Sequence, residues 1–163
     1  MTQTPIAEST AAQRPPRRGA FVDDYLSYLR ARASHVVYKE FDREVRAAGL
    51  TSLEWRVLAT LSDGDGLTIG ELALEVITQQ PTLTKLVQRM EAGGLLERRA
   101  SADDGRKTLV YESRRGRDIV ATLLAAAKRH EAMVLASFKP EDVKALKKIL
   151  HGLIDRFDAR RDY

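Results

Sequence analysis

Residues 68–112 read TIGELALEVITQQPTLTKLVQRMEAGGLLERRASADDGRKTLVYE. The order of signals along this stretch decides the fold. Thr68 and Glu71 have capping-box spacing: the Thr side chain accepts from the N–H three residues on, and the Glu reaches back to the cap. Ile69, Leu72, Ala73 and Val76 then fall on one helical face. A break follows at Ile77-Thr78-Gln79. Pro81 fits only in the first turn of a new helix, where a missing N–H costs little. Leu83, Leu86, Val87 and Met90 form that helix's stripe, and Gly93-Gly94 ends it. Residues 95–100 and 107–112 flank the turn signal Asp104-Gly105. Leu109 and Tyr111 alternate with Thr108, Val110 and Glu112, which is strand periodicity. The stretch therefore predicts two short helices joined by a tight turn, then a β-hairpin with a charged tip.

Upstream, Thr51-Ser52-Leu53-Glu54 repeats the capping box, and Trp55, Leu58, Ala59 and Leu61 supply the buried face of another short helix. Asp63-Gly64-Asp65-Gly66 breaks the chain after it. From Phe21 a longer helix is predicted, ending near Ala48 before Gly49. Its stripe is Val22, Tyr25, Leu26, Leu29, Ala33, Val36, Val37 and Phe41, with Asp23 and Asp24 in the first turn. Helix returns from about Arg115 on Ile119, Val120, Leu123, Leu124 and Ala127. Pro140 starts the last helix, where Val143, Leu146, Ile149, Leu150, Leu153, Ile154 and Phe157 have near-heptad spacing. Residues 1–20 are polar and close on Pro15-Pro16-Arg17-Arg18, which predicts a disordered arm. The fold is thus mainly α with a small β-hairpin wing. A winged helix-turn-helix lobe covers 50–113, and a helical region is built from 21–48 with 114–160.

Composition bounds the function. The chain has 163 residues, enough to bury a core, and no cysteine. Disulfides, thiolate metal sites, a cysteine nucleophile and a thiol redox switch are excluded, which fits a cytoplasmic protein. No apolar run approaches the roughly 18 residues of a membrane span, and the polar N-terminus is no secretory signal. His35, His130 and His151 form no HExxH and no i, i+4 pair. There is no GxGxxG, P-loop or nucleophile elbow, so neither an enzyme nor a cofactor or metal protein is expected. Lys and Arg total 27 against 23 Asp and Glu, a formal charge of +4. Residues 98–117 alone carry a net +4: Arg98, Arg99, Arg106, Lys107, Arg114, Arg115 and Arg117 against Asp103, Asp104 and Glu112. Such an island fits a nucleic-acid partner or an ordinary solvated basic surface.

The helix-turn-helix favours DNA. A helix fits the major groove, and its N-terminal residues reach base edges. Gln79, Gln80, Thr82, Thr84 and Lys85 occupy that end. Gln can bond adenine bidentately, and Thr can lay its methyl on thymine. Arg89, a turn on, is placed on phosphate. Arg106 and Lys107 at the hairpin tip are offered to the minor groove or the backbone. The competing reading is a helical interaction module with wet polar faces.

The sequence resembles the MarR family of bacterial transcription regulators over roughly residues 21–157. Leu53-Glu54-Trp55-Arg56-Val57-Leu58 is similar to the family's opening helix of the DNA-binding lobe. Gln80 through Glu91 resembles its recognition helix, Gly93 through Arg98 the exit into the wing, and Asp103-Asp104-Gly105-Arg106-Lys107 the wing tip. The resemblance implies that Asp104 orients Arg106 into the minor groove. It implies a homodimer on a pseudo-palindromic operator, repressing transcription or, in the alternative, activating it. The long apolar stripes on the first and last helices support a second copy, so 21–48 with 114–160 is expected to be a dimerisation region. Many members sense small aromatic or phenolic acids. Here His35, Tyr38, Trp55 and Arg56 are the candidate ligand residues, offering hydrogen bonds, stacking and a cation for a carboxylate. Two departures stand out: Glu112-Ser113-Arg114-Arg115-Gly116 where the family has Leu-Thr-x-x-Gly, and Lys139 where a small residue precedes the last helix's proline.

Overall fold

The computed structural model describes residues 21–158. The predicted arm, residues 1–20, lies outside them. The element order is α1 (Phe21–Asp24), α2 (Leu26–Ala47), α3 (Ser52–Leu61), α4 (Ile69–Glu75), α5 (Gln80–Ala92), β1 (Leu96–Ala100), β2 (Thr108–Glu112), α6 (Arg114–Leu135) and α7 (Pro140–Asp158). The architecture is mainly α with one two-stranded antiparallel hairpin, as the periodicity predicts. Among the described residues no helix is long and apolar enough to cross a membrane.

The chain divides into two compact units, one ending at Val36 and one running from Val37. In the first, the single helix predicted from Phe21 is broken at Tyr25. The Tyr25 carbonyl accepts from the N–H groups of Tyr28 and Leu29 at 2.9 and 3.0 Å, so Tyr25 starts a new helix rather than continuing the old one. Its ring stacks on Phe21 with centroids 5.0 Å apart. Phe21, Leu26 and Leu29 are exposed.

In the second unit α3, α4 and α5 begin where their sequence signals predict. Thr51 and Thr68 both form complete capping boxes, with Glu54 and Glu71. Pro81 stands in the first turn of α5. The core gathers one face from every element between α2 and α6. Phe41 and Val45 of α2 meet Trp55, Val57, Leu58 and Leu61 of α3, and Leu72 and Ala73 of α4. Leu83, Leu86, Val87 and Met90 of α5, Leu96 and Val110 of the hairpin, and Val120 and Leu123 of α6 complete it. Each fully buried Leu or Val contributes on the order of 1.5–3 kcal/mol. Among residues 140–156 of α7, none belongs to this core.

The hairpin pairs Leu96 with Glu112 and Ala100 with Thr108. Leu67 joins it through an isolated bridge: its N–H reaches Val110 O at 3.3 Å, and Val110 N–H reaches Leu67 O at 2.8 Å. This bridge, which periodicity does not announce, anchors the wing to the loop before α4. The departure at Glu112-Ser113 keeps the cap. Ser113 Oγ accepts from Gly116 N–H at 3.0 Å and donates to Gly94 O at 2.7 Å, so α6 starts one residue earlier than predicted. Glu112 takes the apolar position and is buried. The following Gly116 is required by contact, since a Cβ there would lie 2.2 Å from Leu95 O.

Candidate nucleic-acid interface

Orientation of α5 follows from its stripe. Leu83, Leu86, Val87 and Met90 are buried, which turns Gln80, Thr82, Lys85 and Arg89 to solvent. Gln79 is the N-cap with extended backbone and makes no side-chain cap bond, so its amide is not spent on the helix. Thr84 is half-buried, and its hydroxyl donates to the Gln80 carbonyl at 2.9 Å. That leaves its methyl, rather than its hydroxyl hydrogen, for an outside partner. Thr51, Leu53, Pro81, Thr82, Lys85 and Arg89 line a recess of about 330 Å³ between the start of α3 and α5.

Two of the cations read as DNA contacts are set by acids. Asp104 Oδ1 accepts from the Arg106 backbone N–H at 3.1 Å and from its Nε at 3.0 Å, and Oδ2 accepts from Nη2 at 3.3 Å. The guanidinium first, and the backbone N–H second, hold the Asp104 carboxyl below its usual range. Arg106 remains 91% exposed, so Asp104 aims the cation at the hairpin tip without covering it. Arg89 Nη2 donates to Glu54 Oε1 at 3.1 Å. Burial pushes the Glu54 carboxyl up, but the Thr51 N–H and hydroxyl and then Arg89 outweigh it and hold the group low. Glu54 therefore serves twice, as the reaching acid of a capping box and as the anchor of Arg89. Its capping spacing was legible in the sequence; its ion pair across 35 positions was not.

The basic island is partly structural. Arg98 pairs with Glu91 at 2.6 Å. Arg99 lies over the Tyr111 ring at 5.0 Å and pairs with Glu97. Arg115 donates to Gly93 O and Arg117 to Glu112 O, each at 3.0 Å. Arg98 and Arg115 tie the hairpin and α6 to the end of α5, Arg117 ties α6 to the hairpin, and Arg99 braces the two strands of the hairpin. Lys107 and Arg114 are exposed and make no side-chain hydrogen bond or ion pair among the described residues.

The four ligand candidates are divided between the two units. His35 lies in the unit ending at Val36 and is exposed. In the other unit Tyr38 meets Phe41 edge-on with centroids at 6.5 Å, and Phe41 meets Trp55 at 5.4 Å. Sequence reasoning missed two members of this cluster, Phe41 and His130. The His130 ring lies 5.7 Å from Phe41. Trp55 is buried in the core. Four side-chain polar atoms are buried without a hydrogen-bond partner among the described residues: Glu112 Oε1 on the hairpin and, in this part of the unit, Tyr38 Oη, Arg56 Nε and His130 Nε2. Glu40 stands 3.6 Å from His130 Nε2, beyond a hydrogen bond. A separate recess of about 540 Å³ lies along α2 and α6. Its charged lining is balanced, Glu44 and Asp118 against Arg115 and Arg129, so it has no net preference for an anion.

A sequence model described as MarR family matches residues 48–107, which span α3 through the hairpin tip. The chain is similar to the HTH-type transcriptional repressor IacR of Pseudomonas putida, 30% identical over 114 residues, 64% of this chain and 68% of that protein. It is similar to the transcriptional activatory protein BadR of Rhodopseudomonas palustris, 30% identical over 126 residues, covering 75% and 72%. Among solved structures it resembles a MarR family transcriptional regulator from Silicibacter pomeroyi DSS-3, with a TM-score of 0.75, 36% identity, and coverage of 85% and 98%.

Proposed function

The chain belongs to the MarR family, and we propose that it is a ligand-responsive repressor that binds a pseudo-palindromic DNA operator as a homodimer. The observation that carries DNA recognition is the pairing of an outward polar face on α5 with a wing-tip guanidinium held by its own carboxylate. Gln80, Thr82 and the Thr84 methyl read bases in the major groove, and Gln79 stands at their edge. Lys85, Arg89 and Lys107 meet phosphates. Arg106, aimed by Asp104, enters the minor groove. The repressor's place of work is the cytoplasm, with the DNA.

Dimerisation is supported by what α7 leaves uncovered. Leu146, Ile149, Leu150 and Ile154 are all exposed, a row of apolar side chains that a monomer gains nothing by showing to water. A two-fold dimer places two recognition helices about one DNA turn apart, which makes the operator a pseudo-palindrome.

The effector is a small aromatic or phenolic acid. The aromatic cluster of Tyr38, Phe41 and Trp55, with buried unpartnered atoms on Tyr38, Arg56 and His130, offers the chemistry that a flat ring bearing a hydroxyl or carboxylate would use. Such a ligand releases DNA only by binding one conformation of the dimer better than the other. Similarity to a protein named as an activator favours a second reading, in which the same dimer recruits rather than blocks transcription.

Gel shifts with DNA upstream of the chain's own operon test the core of this reading. A footprint with two half-sites, released by an aromatic acid found in a thermal-shift screen, is expected. Absence of any sequence-selective binding refutes it. Reporter output with and without the gene separates repression from activation.

A further inference from the structure

Three helix ends in this chain close by the same hydrogen bonds. After α2, Gly49 N–H reaches Arg46 O at 2.9 Å and Leu50 N–H reaches Val45 O at 3.2 Å. After α5, Gly94 N–H reaches Glu91 O and Leu95 N–H reaches Met90 O, both at 2.9 Å. After α4, Ile77 N–H reaches Leu74 O at 3.1 Å and Thr78 N–H reaches Ala73 O at 2.9 Å. Each is a Schellman motif, which needs a left-handed residue just past the helix, usually glycine. Gly49 and Gly94 supply it with φ of 78° and 69°. At the third end it is Ile77, with φ of 53°.

A β-branched side chain is strained in this region. Strain of this kind persists when something else repays it. Packing does not repay it here, because Ile77 is 82% exposed. The residue stands in the turn directly ahead of α5, two positions before the Gln79 cap. The chain thus forgoes a glycine at the one helix end of the three that leads into the recognition helix, and holds a bare aliphatic group out in front of it.

We propose that Ile77 is a DNA-reading residue whose side chain packs on the C5-methyl of a thymine beside the bases read by Gln80 and Thr82. The thymine methyl is the apolar group that the major groove displays on base edges, so it is the base-edge partner an exposed aliphatic side chain can use there. The assignment rests on the reading of α5 as the recognition helix.

The test compares wild type, Ile77→Gly and Ile77→Asn on the footprinted operator by fluorescence anisotropy, with each thymine replaced in turn by deoxyuridine. Glycine and asparagine both accept a positive φ, so both variants fold, and thermal melts above the wild-type Tm confirm that strain was relieved. Both are expected to bind the operator about tenfold more weakly, the order of removing one small apolar group from each half-site. Deoxyuridine at one symmetry-related pair of positions weakens wild type by a similar factor and leaves the variants unchanged. Three results overturn the proposal: variants that bind like wild type, a loss confined to glycine, or a wild type indifferent to every thymine replacement. A wild type that binds no DNA removes the reading of α5 itself, whereas normal wild-type binding with unaffected variants removes only the role of Ile77.

Discussion

At the scale of single residues, the wing tip and the buried Glu112 make opposite uses of a carboxylate. Asp104 is an exposed acid tied to a guanidinium, and its work is geometric. Arg106→Ala should weaken operator binding and make log affinity against log salt shallower by roughly one for each cation withdrawn from the groove, so about two in a dimer. Asp104→Ala should give a milder loss with the same sign, because the cation stays but is no longer aimed. Salt titrations of binding check both, and an unchanged slope for Arg106→Ala would remove it from the interface. Glu112 works against the fold. Burial lifts its carboxyl above the usual range and Arg117 offsets this only in part, while one carboxylate oxygen finds no partner among the described residues. A raised folded-state pKa means that the folded chain holds the proton longer than the unfolded one. Stability from this group is complete below the unfolded pKa and is lost as pH rises through the folded one. Glu112→Gln should therefore raise Tm near about pH 8 and change it little near about pH 4, where the acid is largely neutral in either state. Melting curves across that range decide it, and a Tm difference independent of pH would contradict the sign.

At the scale of elements, two glycines predict changes of opposite direction. Gly116 sits in the first turn of α6, where a Cβ would meet the Leu95 carbonyl at 2.2 Å and the Leu58 side chain at 3.3 Å. The obstacle is backbone at the junction of α5, hairpin and α6, so it has little room to yield. Gly116→Ala should cost about 1–3 kcal/mol. Gly152 lies inside α7, with open space where a methyl group would stand. Gly152→Ala should stabilise by about 0.5–1 kcal/mol, the helix-interior cost of glycine. Urea unfolding of both variants reads the two effects directly. Equal changes would mean that the crowding at Leu95 is not the reason for the glycine.

At the scale of the molecule, the decisive quantity is the number of chains in the working particle. Leu146 and Leu150 are exposed on α7, one helical turn apart, so charges there leave the core of α3 to α6 untouched. Leu146→Glu with Leu150→Glu should turn a dimer of twice 18.2 kDa into monomers or aggregates. Each buried leucine is worth on the order of 1.5–3 kcal/mol, and two-fold symmetry doubles the effect of every substitution. Operator affinity should collapse although every DNA-facing side chain remains, because one winged lobe forgoes the gain of holding two half-sites together. Multi-angle light scattering checks the mass. A wild-type monomer that binds a single half-site as well as a full palindrome would overturn the dimeric repressor.

The sequence by itself determined what repeats locally. Capping boxes at Thr51 and Thr68, proline in the first turn of α5, the glycine end of that helix and the alternation of Thr108–Glu112 each act within a few residues, so periodicity and caps locate α3, α4, α5 and the hairpin closely. The inward set Leu83, Leu86, Val87 and Met90 fixed which side of α5 faces out, and with it most of the candidate DNA contacts. Tertiary structure alone decided what depends on distant partners. The break at Tyr25 interrupts a stripe that reads as continuous. The bridge from Leu67 to Val110, the ion pair of Arg89 with Glu54, and the contact of His130 with Phe41 join positions far apart in the chain, and no spacing rule encodes such meetings. The positive φ of Ile77 belongs to the same class: isoleucine gives no local signal for a left-handed turn, and only the folded backbone imposes one.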